Sequence, residues 1–273
     1  MNSLNVLSNY KKEFYFDKPF PHIEIDNALN NDIYKKLEDE YKIIVSYLKK
    51  NHKFENNIRL QVNSKKILED SFFKKTIWYD FVKFHTSKEF FNQIVDIFER
   101  DIGFNYSTIN IDKSKEILGI RSNELKNNKS NFVIDCQPGI NTPVKQKSSV
   151  RGPHVDNPVE LIGGLFYLKN DNDPAIGGDL NLFESSKKIY FKGKAEVDNE
   201  KDLNLVKTIK YTKNKCVFFL NTLKTLHSVT PRSEGIYTRN LINFVIENYN
   251  IKNGYFQMPR KSNLLKKILN FVN

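Results

Sequence analysis

Within RGPHVDNPVELIGGLFYL, residues 151–168, His154 and Asp156 stand two positions apart. In an extended segment such residues project to the same face. One imidazole and one carboxylate there need a third ligand from elsewhere to hold a metal ion. The chain has five histidines, His22, His52, His85, His154 and His227. His154 and His227 fall in strand-like sequence, each at a strand edge, and His227 is the candidate third ligand. Two histidines and one carboxylate occupy one face of an octahedral ion and leave up to three positions open. Taken alone, HxD is also a common polar turn entering a strand, and that reading stands beside the metal one. His22 and His85 have no carboxylate placed to face them and read as structural histidines.

The open positions define further needs. A bidentate 2-oxo acid takes two of them and dioxygen the third, and its far carboxylate requires a fixed cation. After HSVTP come RSEGIYTR and the apolar run NLINFVIE. Arg239 opens that run, where a guanidinium can pair with a carboxylate in a fork and stays charged. Arg232, directly after Pro231 in a loop, is the alternative. Tyr167 is placed to donate its hydroxyl to the same carboxylate, or to serve as an ordinary barrel aromatic. Arg121, Asp135, Gln137, Asn141, Arg151 and Asn157 flank the strands near the HxD turn and are candidates for the rim that meets the substrate.

Two kinds of sequence must position these groups. From Phe14 to Leu29 an extended entry segment alternates Ile23 and Ile25 with polar residues. Asn31 or Asp32 can cap a helix over Ile33–Lys49, with Ile33, Leu37, Tyr41 and Ile44 as its apolar stripe. Helices are also expected over Phe72–Phe84 and Lys88–Arg100. After Leu118, short Val-, Ile-, Phe- and Tyr-rich runs follow one another between turn residues. Strands are expected near Phe132–Cys136, Glu160–Leu168, Asp179–Phe183, Leu205–Tyr211, Cys216–Asn221, Thr225–Val229 and Arg239–Glu247. Gly177-Gly178 and Lys213-Asn214 read as tight turns, and Asp179 as a polar residue at a strand start. Such a series suggests a sandwich or barrel. The tail KSNLLKKILNFVN reads as a basic amphipathic helix packed on the outside of the sheet.

Composition narrows the class. With 21 Phe and 13 Tyr among 273 residues, the chain is that of a packed globular protein rather than a disordered one. Its net charge of +11 comes mostly from dispersed lysine. It forms no stripe of the kind nucleic-acid proteins use, so a nucleic-acid partner is not expected, while an anionic substrate is allowed. Cys136 and Cys216 lack CxxC spacing and lie in apolar runs, which suggests buried free thiols in a reducing compartment. No apolar stretch reaches the ~18 residues of a membrane helix, and the N-terminus lacks a signal-peptide core, so a cytoplasmic protein without a membrane partner is expected. No linker divides residues 1–273, so one domain is expected: helical support over 1–117, a β-rich core over 118–250 and a tail helix over 251–273.

Taken in order, HVDNP, LIGGLFYLKND, IGGDLNLFE, VFFLNTLKTLHSVTP and a later arginine resemble the 2-oxoglutarate- and Fe(II)-dependent dioxygenases, most closely their prolyl-hydroxylase-like branch. The likeness covers Arg151 to Glu247, and more faintly PFPHIEIDNAL. It implies an α+β, mainly β fold, a double-stranded β-helix (a cupin-like jelly roll) with supporting N-terminal helices and a short C-terminal helix. It implies Fe(II) held by His154, Asp156 and His227. It further implies 2-oxoglutarate held by Arg239 and Tyr167, with dioxygen as the other co-substrate. The activity implied is hydroxylation coupled to conversion of 2-oxoglutarate to succinate and carbon dioxide. Asp156 favours hydroxylation over halogenation, because halogenating relatives give that carboxylate's place to halide. The His227–Arg239 spacing is longer than the family's usual one, which keeps Arg232 open as the co-substrate arginine. The substrate is left as a small molecule, saccharide or peptide. Two other readings are a metal-dependent cupin-type enzyme without 2-oxoglutarate and a non-catalytic binding module of the same fold.

Overall fold

The computed structural model describes residues 3–106, 111–121 and 130–261. The N-terminal part contains β1 (Tyr15–Phe16), β2 (His22–Ile25), α1 (Asn31–Asn51), β3 (Arg59–Gln61), α2 (Ser64–Glu69), α3 (Ile77–His85) and α4 (Lys88–Asn105). The β-rich part contains β4 (Leu118–Ile120), β5 (Phe132–Asn141), β6 (Glu160–Tyr167), β7 (Leu180–Glu184), β8 (Phe191–Lys192) and β9 (Glu196–Val197). It continues through β10 (Asn204–Ile209), β11 (Lys215–Leu220), β12 (Leu226–Val229) and β13 (Arg239–Glu247). The fold is mixed α+β and mainly sheet.

A large sheet runs in the order β1-β2-β11-β6-β13-β5-β3, antiparallel throughout, with β4 added parallel to β5. A smaller sheet runs β10-β7-β12, and β8 pairs with β9. Alternation along β11 shows how the large sheet is buried on both faces. Cys216, Phe218 and Leu220 join the cluster that includes the helices. Val217 and Phe219 join a second cluster with Leu165, Tyr167 and Leu241 of the large sheet and Leu180, Leu182 and Ile209 of the small one. Residues of both sheets in one cluster mean that the two sheets face each other.

The helices cover the far side of the large sheet. Asn30 caps α1 by accepting from the Asp32 amide at 2.9 Å. Tyr34, Leu37, Tyr41, Ile44 and Leu48 form its buried face. The Tyr41 hydroxyl lies 2.7 Å from the Gly139 carbonyl of β5 and 2.8 Å from the Leu241 carbonyl of β13, tying the helix to these two neighbouring strands. On α4, capped by Ser87, the residues Phe90, Phe91, Ile94, Val95, Phe98 and Ile102 are buried. Each phenyl ring fully withdrawn from water there contributes about 1.5–3 kcal/mol.

The expected helix over Phe72–Phe84 is divided. Phe73–Lys75 forms a short 3-10 turn, Thr76 is extended, and the α-helix starts at Ile77. The expected strand at Phe132–Cys136 continues through Pro138 to Asn141. Asp179 lies just before β7 rather than in it, where it pairs with Lys210 at 3.0 Å and accepts the Tyr211 amide at 2.9 Å. At the two turns, Gly177, Gly178 and Asn214 take positive φ of 90°, 79° and 54°. Both cysteines are free and buried. Of the tail helix expected over 251–273, residues 251–261 form turns and irregular chain rather than helix, and residues 262–273 lie outside the described residues.

Candidate metal centre

His154 lies in the loop before β6, and His227 lies on β12. Their backbones form an antiparallel bridge in which His154 N–H donates to the His227 carbonyl at 2.9 Å and His227 N–H to the His154 carbonyl at 3.0 Å. The pairing brings the imidazoles to a centroid separation of 4.2 Å. Each ring is then fixed by its own segment. Nδ1 of His154 donates to the Gly152 carbonyl at 2.8 Å, and Nδ1 of His227 to the Thr225 carbonyl at 2.9 Å. A carbonyl can only accept, so each ring carries a proton on Nδ1, the tautomer that leaves the Nε2 lone pair for a metal ion.

Those lone pairs point at one carboxylate. Asp156 Oδ1 is 3.6 Å from His154 Nε2, and Oδ2 is 3.6 Å from His227 Nε2. The three ligand atoms lie within 4.8 Å of one another, the one such cluster of three among the described residues. Burial, then His227 and Arg151, drive the His154 pKa well below its usual value, which keeps the ring neutral. Two imidazoles with backbone-anchored Nδ1 and one carboxylate are the donor set a divalent first-row metal ion takes. The residues fit the group.

The trio lines a cavity of about 200 Å³ together with Arg59, Asn141, Arg151, Arg239 and Asn243. Leu165, Leu180, Phe219, Val229 and Leu241 supply its apolar wall. Gly163 belongs to its floor, where a Cβ would sit 2.7 Å from the Phe219 ring.

Arg239 and Arg232 differ in what they have left to offer. The Arg232 guanidinium donates to the Thr142 carbonyl at 3.2 Å and the Tyr237 carbonyl at 3.0 Å, and it lies 3.7 Å from Asp173. Arg239 donates from Nε to the Gly178 carbonyl at 2.9 Å and from Nη1 to Asn141 Oδ1 at 3.1 Å. Its Nη2 is buried with no partner. The Tyr167 and Tyr211 rings lie 5.1 and 4.8 Å from its guanidinium carbon, and the buried Tyr167 hydroxyl also lacks a partner. Unpaired buried donors cost free energy, so two of them side by side point to an absent acceptor. Gly178 allows the arrangement, since a Cβ there would meet Arg239 Cδ and Nε at 2.9 Å.

Of the other residues singled out in the sequence, Asn141 and Arg151 line the cavity, and Arg151 sits 3.5 Å from Asp156. Arg121 instead pairs with Glu247 at 2.8 Å. Asp135 accepts from the Ser64 amide and from Gln137, whose own oxygen accepts from Gln61 and Asn243. Asn157 Oδ1 accepts the Val159 amide beside the loop. His22 Nδ1 donates to the Phe20 carbonyl, and His85 bridges the Phe81 carbonyl and the Val6 amide. Sequence reasoning missed Arg59 and Asn243. For Arg59 a signal was present, because Ile58, Leu60 and Val62 alternate with Arg59 and Gln61.

No family model and no curated protein matches the chain. Solved structures do. The chain is similar to prolyl 4-hydroxylases. The one from Phytophthora capsici is 15% identical, with 92% of this chain and 67% of that one covered at a TM-score of 0.45. For the Pseudomonas putida enzyme the values are 13%, 83%, 92% and 0.44. A protein from Shewanella oneidensis described as an oxygenase is 10% identical, covering 92% and 90% of the two chains at 0.49. Chemistry at this chain's cavity has to be read from its own side chains.

Proposed function

We propose that the chain is an Fe(II)- and 2-oxoglutarate-dependent oxygenase that hydroxylates its substrate while converting 2-oxoglutarate to succinate and carbon dioxide. One observation carries the reading: His154, Asp156 and His227 bring three possible ligand atoms together in one cavity that Arg239, whose Nη2 is unpaired, also lines. When bound, iron(II) with a 2-oxo acid supplies oxidative decarboxylation coupled to attack on a C–H bond. The protein's part is geometric and electrostatic. Carbonyls of Gly152 and Thr225 hold the two rings in the ligating tautomer. Arg151, 3.5 Å from Asp156, pairs with that carboxylate and helps to hold it in place. Arg239 Nη2 receives the distal carboxylate of 2-oxoglutarate, and the Tyr167 hydroxyl beside it donates to the same group. Leu165, Leu180, Phe219, Val229 and Leu241 keep water from the reacting atoms.

The test is co-substrate turnover. Supplied with Fe(II), 2-oxoglutarate and air, the chain releases succinate and carbon dioxide in equal amounts, and the His154→Ala and His227→Ala variants release neither. Succinate release that survives both substitutions contradicts the reading.

A further inference from the structure

The described charges around the cavity do not balance. Among the residues that line the cavity, three guanidinium groups, Arg59, Arg151 and Arg239, face one carboxylate, Asp156. Two positive charges are in excess. On the reading above, a divalent metal ion and the doubly charged 2-oxoglutarate cancel each other on entering, so the excess persists in the loaded site. Arg239 faces the co-substrate and Arg151 stands against Asp156 at 3.5 Å. The cation left over is Arg59.

Arg59 is placed by strand register. It stands directly opposite Asn141, and Asn141 stands directly opposite Arg239, so the three side chains form one row across β3, β5 and β13 on the face that borders the cavity. Asn141 Oδ1 accepts from Arg239 Nη1, which fixes the amide's orientation and turns its Nδ2 away from Arg239. That Nδ2 donates to none of the described residues, and Arg59 makes no hydrogen bond or ion pair with them. Arg59 is solvent-accessible and lines the cavity. Withdrawal from bulk water, then Arg239, pull its pKa down to about 10, so it stays charged at neutral pH. A planar guanidinium beside a free amide N–H is a donor array suited to a carboxylate or phosphate.

We propose that the primary substrate is a small molecule bearing a carboxylate or phosphate, and that Arg59 and the Asn141 amide nitrogen bind that anion. The assignment rests on the iron and 2-oxoglutarate reading of the site. A cavity of about 200 Å³ shared with the co-substrate suits a molecule of metabolite size. An anion seated on Arg59 lies on the same sheet face as the metal ligands' cavity and presents the rest of the molecule to them.

The probes are inorganic phosphate and butyrate, titrated anaerobically into the chain loaded with Fe(II) and 2-oxoglutarate. Two signals are followed, the metal-to-oxo-acid charge-transfer absorption and the heat of binding. One probe saturates in the parent and shifts the absorption, and which one it is separates phosphate from carboxylate. Arg59→Gln weakens that probe at least tenfold, Arg59→Lys weakens it less, and Lys35→Gln, on the exposed face of α1, leaves it unchanged. Equal binding to parent and Arg59→Gln overturns the proposal, as does the absence of binding by either probe when the absorption itself is normal. A parent that never develops the absorption overturns the co-substrate reading, and this assignment with it.

Discussion

His154 and His227 exchange both of their backbone hydrogen bonds, and this pairing brings two imidazoles from separate segments to a centroid distance of 4.2 Å with their free Nε2 atoms facing Asp156. The two rings are thus placed side by side by the backbone itself. Replacing either ring by alanine leaves the bridge intact and removes a ligand. The expected result for His154→Ala or His227→Ala is at least a 100-fold loss of Fe(II) affinity with an unchanged far-ultraviolet circular dichroism spectrum. Metal bound as tightly as by the parent would sink the assignment.

Arg232 and Arg239 separate stability from co-substrate binding. Arg232 is buried with two carbonyl acceptors and Asp173 nearby, so Arg232→Gln is expected to cost about 2–4 kcal/mol in urea unfolding. Its 2-oxoglutarate affinity, measured well below the midpoint, stays within threefold of the parent. Arg239→Gln reverses the balance, with affinity falling by more than tenfold. A large affinity loss in the Arg232 variant alone would transfer the role to it.

Gly178 governs the Arg239 side chain from the outside. A methyl group there meets Arg239 Cδ and Nε at 2.9 Å and is strained by a φ of 79°. Gly178→Ala is expected to lose about 1–3 kcal/mol of stability and to weaken 2-oxoglutarate binding several-fold, with Fe(II) affinity retained. An unchanged 2-oxoglutarate affinity would show that the guanidinium is not held by this contact.

Acid stability reports on His85. Burial lowers its pKa to about 3, against an ordinary value of 6.5, and its ring is held neutral between the Phe81 carbonyl and the Val6 amide. A histidine depressed in the folded state stabilises above the unfolded pKa, and that stability is lost as pH falls from about 6.5 towards 3. Between pH 7 and pH 5 this one group removes about 2 kcal/mol. The parent's unfolding free energy is expected to fall by at least that much over the interval, and that of His85→Gln by about 2 kcal/mol less. Equal losses would mean that His85 is not buried neutral.

The clustering of His154, Asp156 and His227 was legible because HxD spacing on an extended segment is a local property, and His227 was one of the two histidines in strand-like sequence. Choosing Arg239 over Arg232 was not settled by order in the chain. It depends on Thr142, Tyr237 and Asp173, residues from three separate segments that occupy Arg232. Arg59 went unread for a related reason. Its strand is three residues long and gains its place only by pairing with β5, a contact across some 80 positions of sequence. The division of the Phe72–Phe84 helix has no strong breaker at Thr76, and periodicity alone runs through it. Among the described residues no helix is long and apolar enough to cross a membrane, as hydropathy suggested.

The central claim is that one metal ion and one 2-oxo acid share this cavity, the first on His154, Asp156 and His227 and the second on Arg239. Anaerobic calorimetry tests it most directly, with 2-oxoglutarate titrated into the chain before and after Fe(II) is added. The predicted result is one equivalent of Fe(II), then one of 2-oxoglutarate bound at least tenfold more tightly with the metal present, and that gain lost in Arg239→Gln. Binding of 2-oxoglutarate that is indifferent to both Fe(II) and Arg239 would contradict the account.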